Sequence, residues 1–238
     1  MFCCGSEMSS HPDVPEEEMS LSSCPWLNKQ KETPMLNPRN LMPDLPQTAA
    51  SGQRQALSTQ RETSTIPKTG ESKNWEYPSP QQFFHALLRR NKEAEEEEMD
   101  AVVFVHNRVN EESWDLIMDW EREYAHQCKE PSLQRFVGNS EKLSPTAWIR
   151  TKVWGDNIFD RHDWYVDRCG LRSVRYVIDY YDTTGTRYAD NKFNVDIHAR
   201  PAIDTVQDAW DRARVPIKRW FENWINPPTS TGNKSQFG

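Results

Sequence analysis

Met99-Asp100-Ala101-Val102-Val103-Phe104-Val105-His106-Asn107-Arg108-Val109-Asn110-Glu111-Glu112-Ser113-Trp114 opens on an apolar run that suits two secondary structures. Ala101 to Val105 has strand propensity. Yet Met99, Val102, Val103 and His106 recur at helical spacing, and acids lead in. The spacing predicts a helix, with His106 on its apolar face, one turn beyond Val102 and Val103. Asn110 then reads as the cap of a second helix, with Glu111 and Glu112 in its first turn. Trp114, Ile117, Met118, Glu121, Tyr124, Ala125 and Cys128 continue along one broad face, flanked by Trp120. Two helices meeting near His106 would make a corner lined by aromatics. A histidine there reads as a ligand, an acid/base or a core residue.

Upstream, Ser79 and Pro80 suit an N-cap and a first helical position. Phe83, Phe84, Leu87 and Leu88 then form one apolar face, with Arg89 and Arg90 at the C-terminal end. The acidic run Glu93 to Glu98 reads as a solvated helix start. Before residue 74 the texture is different. Half of the prolines lie there among Ser, Thr, Gln and Asn, and no apolar period persists. Nine of the ten tryptophans lie between Trp75 and Trp224, so an aromatic core is available only from about residue 74.

Downstream, Leu133 to Gly138 is a short strand candidate, and Val174 to Asp182 is the clearest strand. It ends at a Thr183-Thr184-Gly185 turn, and Phe193 to Ile197 alternates as its hairpin partner. Asp160 to Trp164, with His162 between two aspartates, reads as a loop. Residues 204–224 predict an amphipathic helix that Pro216 should kink or split. The fold class is α+β: helices around a small antiparallel sheet, with a long disordered N-terminal tail. The expected divisions are a tail at 1–73, a domain at 74–225 and a C-terminal tail at 226–238.

A net charge of −7 argues against non-specific nucleic-acid binding, which needs a basic surface. The five cysteines include no Cys-x-x-Cys pair, so neither a zinc ribbon nor a secreted disulfide framework is expected. Cys128 and Cys169 read as buried small residues. No apolar run approaches the ~20 residues that span a bilayer, and the acidic N-terminus is unlike an Arg-rich presequence. In the tail, Cys24-Pro25 either offers a thiolate to ferric haem or is a chance dipeptide.

Spacing alone names no reaction. There is no phosphate-binding glycine loop, no His-Glu-x-x-His and no Gly-x-Ser-x-Gly. The remaining elements are tryptophans, one histidine beside them and several arginines. They suit a flat apolar cofactor with carboxylate arms, although most tryptophans read equally as core.

A longer set of blocks carries a resemblance. It runs Trp75-x-Tyr77-Pro78-Ser79-x-x-Gln82-Phe83-Phe84, then His106-Asn107-x-x-Asn110-Glu111-x-x-Trp114-x-x-Ile117-x-x-Trp120-Glu121. Phe159-Asp160-Arg161-His162-Asp163-Trp164, Arg168-Cys169-Gly170, Val174 to Tyr181 and Arg200-Pro201-Ala202-x-Asp204 follow. Over residues 74–224 the chain resembles the mitochondrial cytochrome c haem lyases, or holocytochrome c synthases. The resemblance implies an enzyme that binds haem b and apocytochrome c. It joins the haem vinyl groups to the cysteines of the client's Cys-x-x-Cys-His motif. A non-catalytic haem carrier is the alternative, and cytochrome c1 is an open second client.

The family's iron-ligating histidine falls on His106. Asn107 and Glu111 become candidates to orient it, and Trp114 and Trp120 to wall the haem or pack behind it. His162 becomes a second catalytic candidate. Arg168 is a candidate for a propionate or an internal ion pair, and Cys24 for haem delivery. The family implies the mitochondrial intermembrane space, peripheral on the inner membrane. Two features depart from the family pattern: a single Cys-Pro, and an acidic run after Arg90 where relatives often carry Gly-Trp.

Overall fold

The computed structural model describes residues 37–39, 44–138, 145–153, 157–183 and 194–225. Strands β1 (Thr63–Pro67) and β2 (Asn74–Glu76) form an antiparallel pair, followed by helices α1 (Pro80–Arg89) and α2 (Met99–Glu121). Strand β3 (Ser132–Gly138) leads through α3 (Pro145–Val153) to β4 (Asn157–Asp167), β5 (Ser173–Asp182) and β6 (Val195–Pro201), and α4 (Val206–Ile225) closes the chain. Strands β3 to β6 make one four-stranded antiparallel sheet in sequence order. The fold is α+β, as the sequence implies.

The largest difference from the sequence reading is in α2. Residues 99–121 form one continuous 23-residue helix, about 34 Å long. There is no corner at His106. Asn110 does not cap a second helix, because its amide donates to the His106 carbonyl one turn back, at 2.7 Å, inside the helix. Its side chain thereby serves the helix interior instead of a break.

The domain also begins earlier than Asn74. Thr63 pairs with Glu76 and Pro67 with Asn74, and the Tyr77 amide donates to the Glu62 carbonyl at 2.9 Å. Alternation was hard to see there because β1 is only five residues and ends in proline. Glu96, within the acidic run, accepts the backbone amides of Arg54 and Gln55 at 2.9 and 2.6 Å. Part of that run therefore holds the upstream chain in place.

One face of the sheet packs on α2. Asp160, His162, Trp164 and Val166 of β4 stand opposite Tyr180, Ile178, Tyr176 and Val174 of β5. Trp164 and Val166 of β4 and Val174, Tyr176, Ile178 and Tyr180 of β5 are core, joined by Trp114 and Ile117 of α2, with Ile66, Trp75 and Leu133. So Asp160 to Trp164 is strand, not loop. Its charged residues broke the apolar alternation, because the opposite face carries Arg161 and Asp163 as an ion pair at 3.1 Å.

Beyond the sheet, α4 is not split by Pro216 but continues as one helix from Val206 to Ile225. Cys128 and Cys169 are joined in a disulfide with Cα atoms 5.6 Å apart. They are separated by 41 residues in sequence, and no local motif marks the pair. The antiparallel return of β4 brings its end beside the chain that leaves α2.

Candidate functional site

The N-terminal half of α2 carries the polar residues of interest. In Ser79-Pro80-Gln81-Gln82 the serine hydroxyl and the Gln82 amide satisfy each other's backbone in a capping box, fixing where α1 begins. Helix α1 then sets the Phe83 ring 5.0 Å from the His106 ring, edge-on. The Tyr77 ring approaches His106 from the β2 side, at 6.2 Å and also edge-on.

His106 is only partly covered, yet burial pushes its imidazole down to about 4. The Asn107 bond opposes that shift, and the positive charge His162 can carry adds to it. His106 is therefore neutral at physiological pH, the state in which a ring nitrogen can bind a metal. Asn107 Oδ1 lies 3.3 Å from its Nδ1, and Asn107 Nδ2 donates to Glu62 Oε2 at 2.8 Å. Asn110 Nδ2 lies over the ring, 3.3 Å from Nε2 and 3.5 Å from Nδ1. Two amides and two aromatic edges thus frame one neutral imidazole.

The Glu111 carboxylate accepts from the Thr65 amide at 3.1 Å, from the Thr65 hydroxyl, and from Tyr77 Oη at 2.8 Å. Burial and Glu111 together hold the Tyr77 phenol well above its usual range, so it stays protonated. Glu111 is thus bonded to the phenol whose ring stands edge-on to His106.

His162 reaches the same end of the molecule from the sheet. Its Nε2 lies 3.2 Å from Asp160 Oδ2, and its ring stands edge-on to Tyr180 at 5.3 Å. Its Nδ1 is buried and has no hydrogen-bond partner among the described residues. Burial raises the Asp160 carboxyl, but the His162 contact outweighs it and Asp160 titrates below its ordinary range. Tyr180 is raised by burial and meets the Ser113 hydroxyl at 3.1 Å. His106 and His162, far apart in sequence, are close enough to influence each other's charge.

The other residues singled out from the sequence lie elsewhere. Trp114 is a core residue. Trp120 donates its indole N–H to the Ala199 carbonyl at 3.0 Å and lies under Arg219. Arg168 is paired twice with Glu121, Nε to Oε2 at 2.6 Å and Nη2 to Oε1 at 2.9 Å, with its guanidinium over the Tyr124 ring at 3.7 Å. Glu121 stands fifteen residues past His106, about 22 Å along the helix, too far for one porphyrin to touch both. Arg168 is thus committed to an internal ion pair. Cys24 lies outside the described residues.

Glu62, Tyr77, Phe83, Asp160, Ser113 and Tyr180 escaped the sequence reading as site residues. Tyr77, Phe83, Asp160 and Tyr180 carried a signal, since all four stand in the family blocks. Glu62 carried none, lying where no period is visible. Among the described residues no group of three or more His, Cys, Asp or Glu side chains is arranged to hold a metal ion. A single-histidine ligand is a different arrangement, and His106 fits it.

Fold and site together define a class: an α+β scaffold presenting one clamped, neutral imidazole beside aromatic rings. Comparison with known proteins gives the family. The model for "Cytochrome c/c1 heme lyase" matches residues 5–216. The chain is 40% identical over 224 residues to the holocytochrome c-type synthase of Bos taurus, covering 91% of this chain and 80% of that one. It is 33% identical over 255 residues to the holocytochrome-c synthase of Saccharomyces cerevisiae, covering 96% and 92%. It is 41% identical over 171 residues to a putative holocytochrome-c1 synthase of Schizosaccharomyces pombe, covering 69% and 75%. No solved structure matches. The chain belongs to the cytochrome c/c1 haem lyase family, and it is an enzyme, a lyase.

Proposed function

We propose that this protein is a holocytochrome c synthase that takes haem b and apocytochrome c as substrates, with His106 as the axial ligand to the haem iron. The observation that carries this reading is the clamped, neutral His106 imidazole between Asn107 and Asn110, with Tyr77 and Phe83 beside it. A haem held there leaves its second axial position to the histidine of the client's Cys-x-x-Cys-His motif. The client thiols then lie against the vinyl groups, a proximity effect. In each addition a sulfur–carbon bond forms at the vinyl carbon next to the ring. The thiol proton is lost and a proton is gained at the outer carbon, so the step is redox-neutral.

His162, held by Asp160, is the residue we assign to move that proton. Glu111 acts through Tyr77, and Asn107 directly on the His106 ring. Trp114, Trp120 and Arg168 support the scaffold behind the site. The resemblance to a c1 synthase makes cytochrome c1 a second candidate client.

The place of action we propose is the mitochondrial intermembrane space, peripheral on the inner membrane. No helix among the described residues is long and apolar enough to cross a membrane. Helix α4, however, exposes Val206, Trp210, Ile217, Trp220, Phe221 and Trp224, which fall along one side of the helix. Trp210, Trp220 and Trp224 are 61%, 67% and 70% exposed, and Arg214 and Lys218 lie beside them, paired with Asp211 and with Glu123 and Glu222. An exposed stripe of tryptophans and aliphatic side chains on a helix suits the interfacial layer of a bilayer.

Co-expression with an apocytochrome c and haem tests the activity. The expected result is haem that stays on the client after denaturation, with His106→Ala losing both this product and most bound haem while keeping its fold. Haem that co-purifies but never becomes covalent would make the protein a carrier. An unchanged Soret band in His106→Ala would remove His106 as the ligand.

A further inference from the structure

The proton on His106 sits on one of two nitrogens, and only the bare one can bind iron. The contacts around Asn107 decide which. A carboxylate only accepts hydrogen bonds, so the Asn107 group facing Glu62 Oε2 at 2.8 Å must be the NH2. That orientation turns the Asn107 oxygen towards His106 Nδ1, at 3.3 Å. An amide oxygen also only accepts, so His106 Nδ1 must carry the hydrogen. Nε2 is left with its lone pair; the Asn110 amide NH2 donates to the His106 carbonyl at 2.7 Å and lies over the ring face, 3.3 Å from Nε2 and 3.5 Å from Nδ1, so it does not occupy that lone pair.

We propose that Glu62 is a positioning residue: through Asn107 it holds the proton of His106 on Nδ1 and keeps Nε2 open as the ligating nitrogen. The placement of Glu62 is itself built. Its carbonyl accepts from the Tyr77 amide at 2.9 Å, and three residues on, Thr65 bonds to Glu111. The chain at 62–65 thus runs along α2, meeting Asn107 and then Glu111 one turn later. Without Glu62 the Asn107 amide is free to turn over and offer NH2 to Nδ1, which would favour the tautomer protonated on Nε2. A carboxylate fixing an amide that fixes a histidine is the outer-shell logic of metal sites, here read from the protein's own hydrogen bonds.

The inference rests on His106 being the iron ligand, but its first test does not. Nitrogen-15 NMR of the histidine rings in the full-length haem-free protein at neutral pH reads the tautomer directly. The wild type should show a bare Nε2 and a protonated Nδ1. Glu62→Ala should move His106 away from that state and weaken haem binding about tenfold. Glu62→Gln keeps an acceptor oxygen for the Asn107 NH2 and should retain most of both properties. A wild type protonated on Nε2, or a Glu62→Ala variant with an unchanged tautomer, overturns the proposal. A general loss of helicity in Glu62→Ala, with Glu62→Gln equally affected, would make Glu62 a fold residue instead. If the tautomer shifts as expected but haem affinity does not follow, the failure lies with His106 as ligand.

Discussion

Arg168→Met separates the two roles that a buried arginine can have in a haem protein. Arg168 and Glu121 are 4% and 3% exposed and joined by two hydrogen bonds. Tyr176 Oη donates to the same carboxylate. Burial works against the guanidinium charge, but Glu121 reverses this and raises it above its ordinary range. Removing Arg168 leaves the Glu121 carboxylate buried with one neutral donor. Breaking a buried pair in this way costs about 3–5 kcal/mol, which for a body of this size lowers Tm by about 10 °C or more. Replacing both partners, as Glu121→Gln with Arg168→Met, should recover much of that loss, because no uncompensated charge remains. The assay is thermal unfolding of the haem-free full-length protein by circular dichroism, with haem titration at a temperature where every variant is folded. The expected pattern is a large drop in Tm and near-normal haem affinity for Arg168→Met. An unchanged Tm with haem binding lost would refute the reasoning and give the guanidinium back to a propionate.

The pH dependence of stability should report His106. Its folded value of about 4 lies below the ordinary 6.5. The unfolded state therefore binds more protons between those values, and stability falls as pH drops through that window. By about pH 4.5 this one group costs roughly 2.5 kcal/mol, and His106→Gln should flatten a urea-unfolding series over that range by this amount; parallel curves for the two proteins would rule it out. The Cys128–Cys169 disulfide closes a 41-residue loop, worth about 4 kcal/mol in the chain-entropy model. A thiol reductant should lower the wild-type Tm and leave a Cys128→Ser, Cys169→Ser protein unmoved, whereas a wild type insensitive to reductant contradicts the assignment. Vesicles of phosphatidylcholine with phosphatidylglycerol should sediment the full-length protein. Each of Trp210→Gln, Trp220→Gln and Trp224→Gln should weaken this about tenfold, so equal sedimentation of all four proteins would exclude α4 as the contact.

The legible parts of the fold were those where local pattern and tertiary burial agree. Residues 173–182 show this: β5 is covered on both faces, so its apolar run reads as strand without help. The Ser79 cap was legible because its chemistry is local. At His106 local and tertiary signals conflict. Asn110 has the composition of a cap, but packing against β1, α1 and the sheet continues the helix through it. Asp160 to Asp163 failed for the opposite reason, since a strand whose outer face buries an ion pair does not alternate in hydrophobicity. For the site, the family blocks pointed to His106, Asn107 and Glu111, but not to how they connect. The links pass through Glu62, Tyr77 and Thr65, which bond across gaps of 34 to 46 residues that no periodicity marks.

Helix α2 ties these observations together by holding different chemistry at its two ends. Towards its start, His106 and Glu111 stay partly exposed while Asn107 and Asn110 are buried, and the four are bonded to one another, to Glu62 or to Tyr77. Towards its end, Ile117 is fully buried and Glu121 is sealed beneath Arg168 and Tyr176. Stability is concentrated where the helix meets the core of the sheet. The end carrying the imidazole is held by hydrogen bonds of modest individual worth, about 1 kcal/mol each. A site that must admit a flat substrate and release it on a client benefits from that division, because the admitting end can adjust without loosening the core. The two ends therefore differ in what substitution does there: changes around His106 alter ligand behaviour at little cost in Tm, and changes around Glu121 do the reverse.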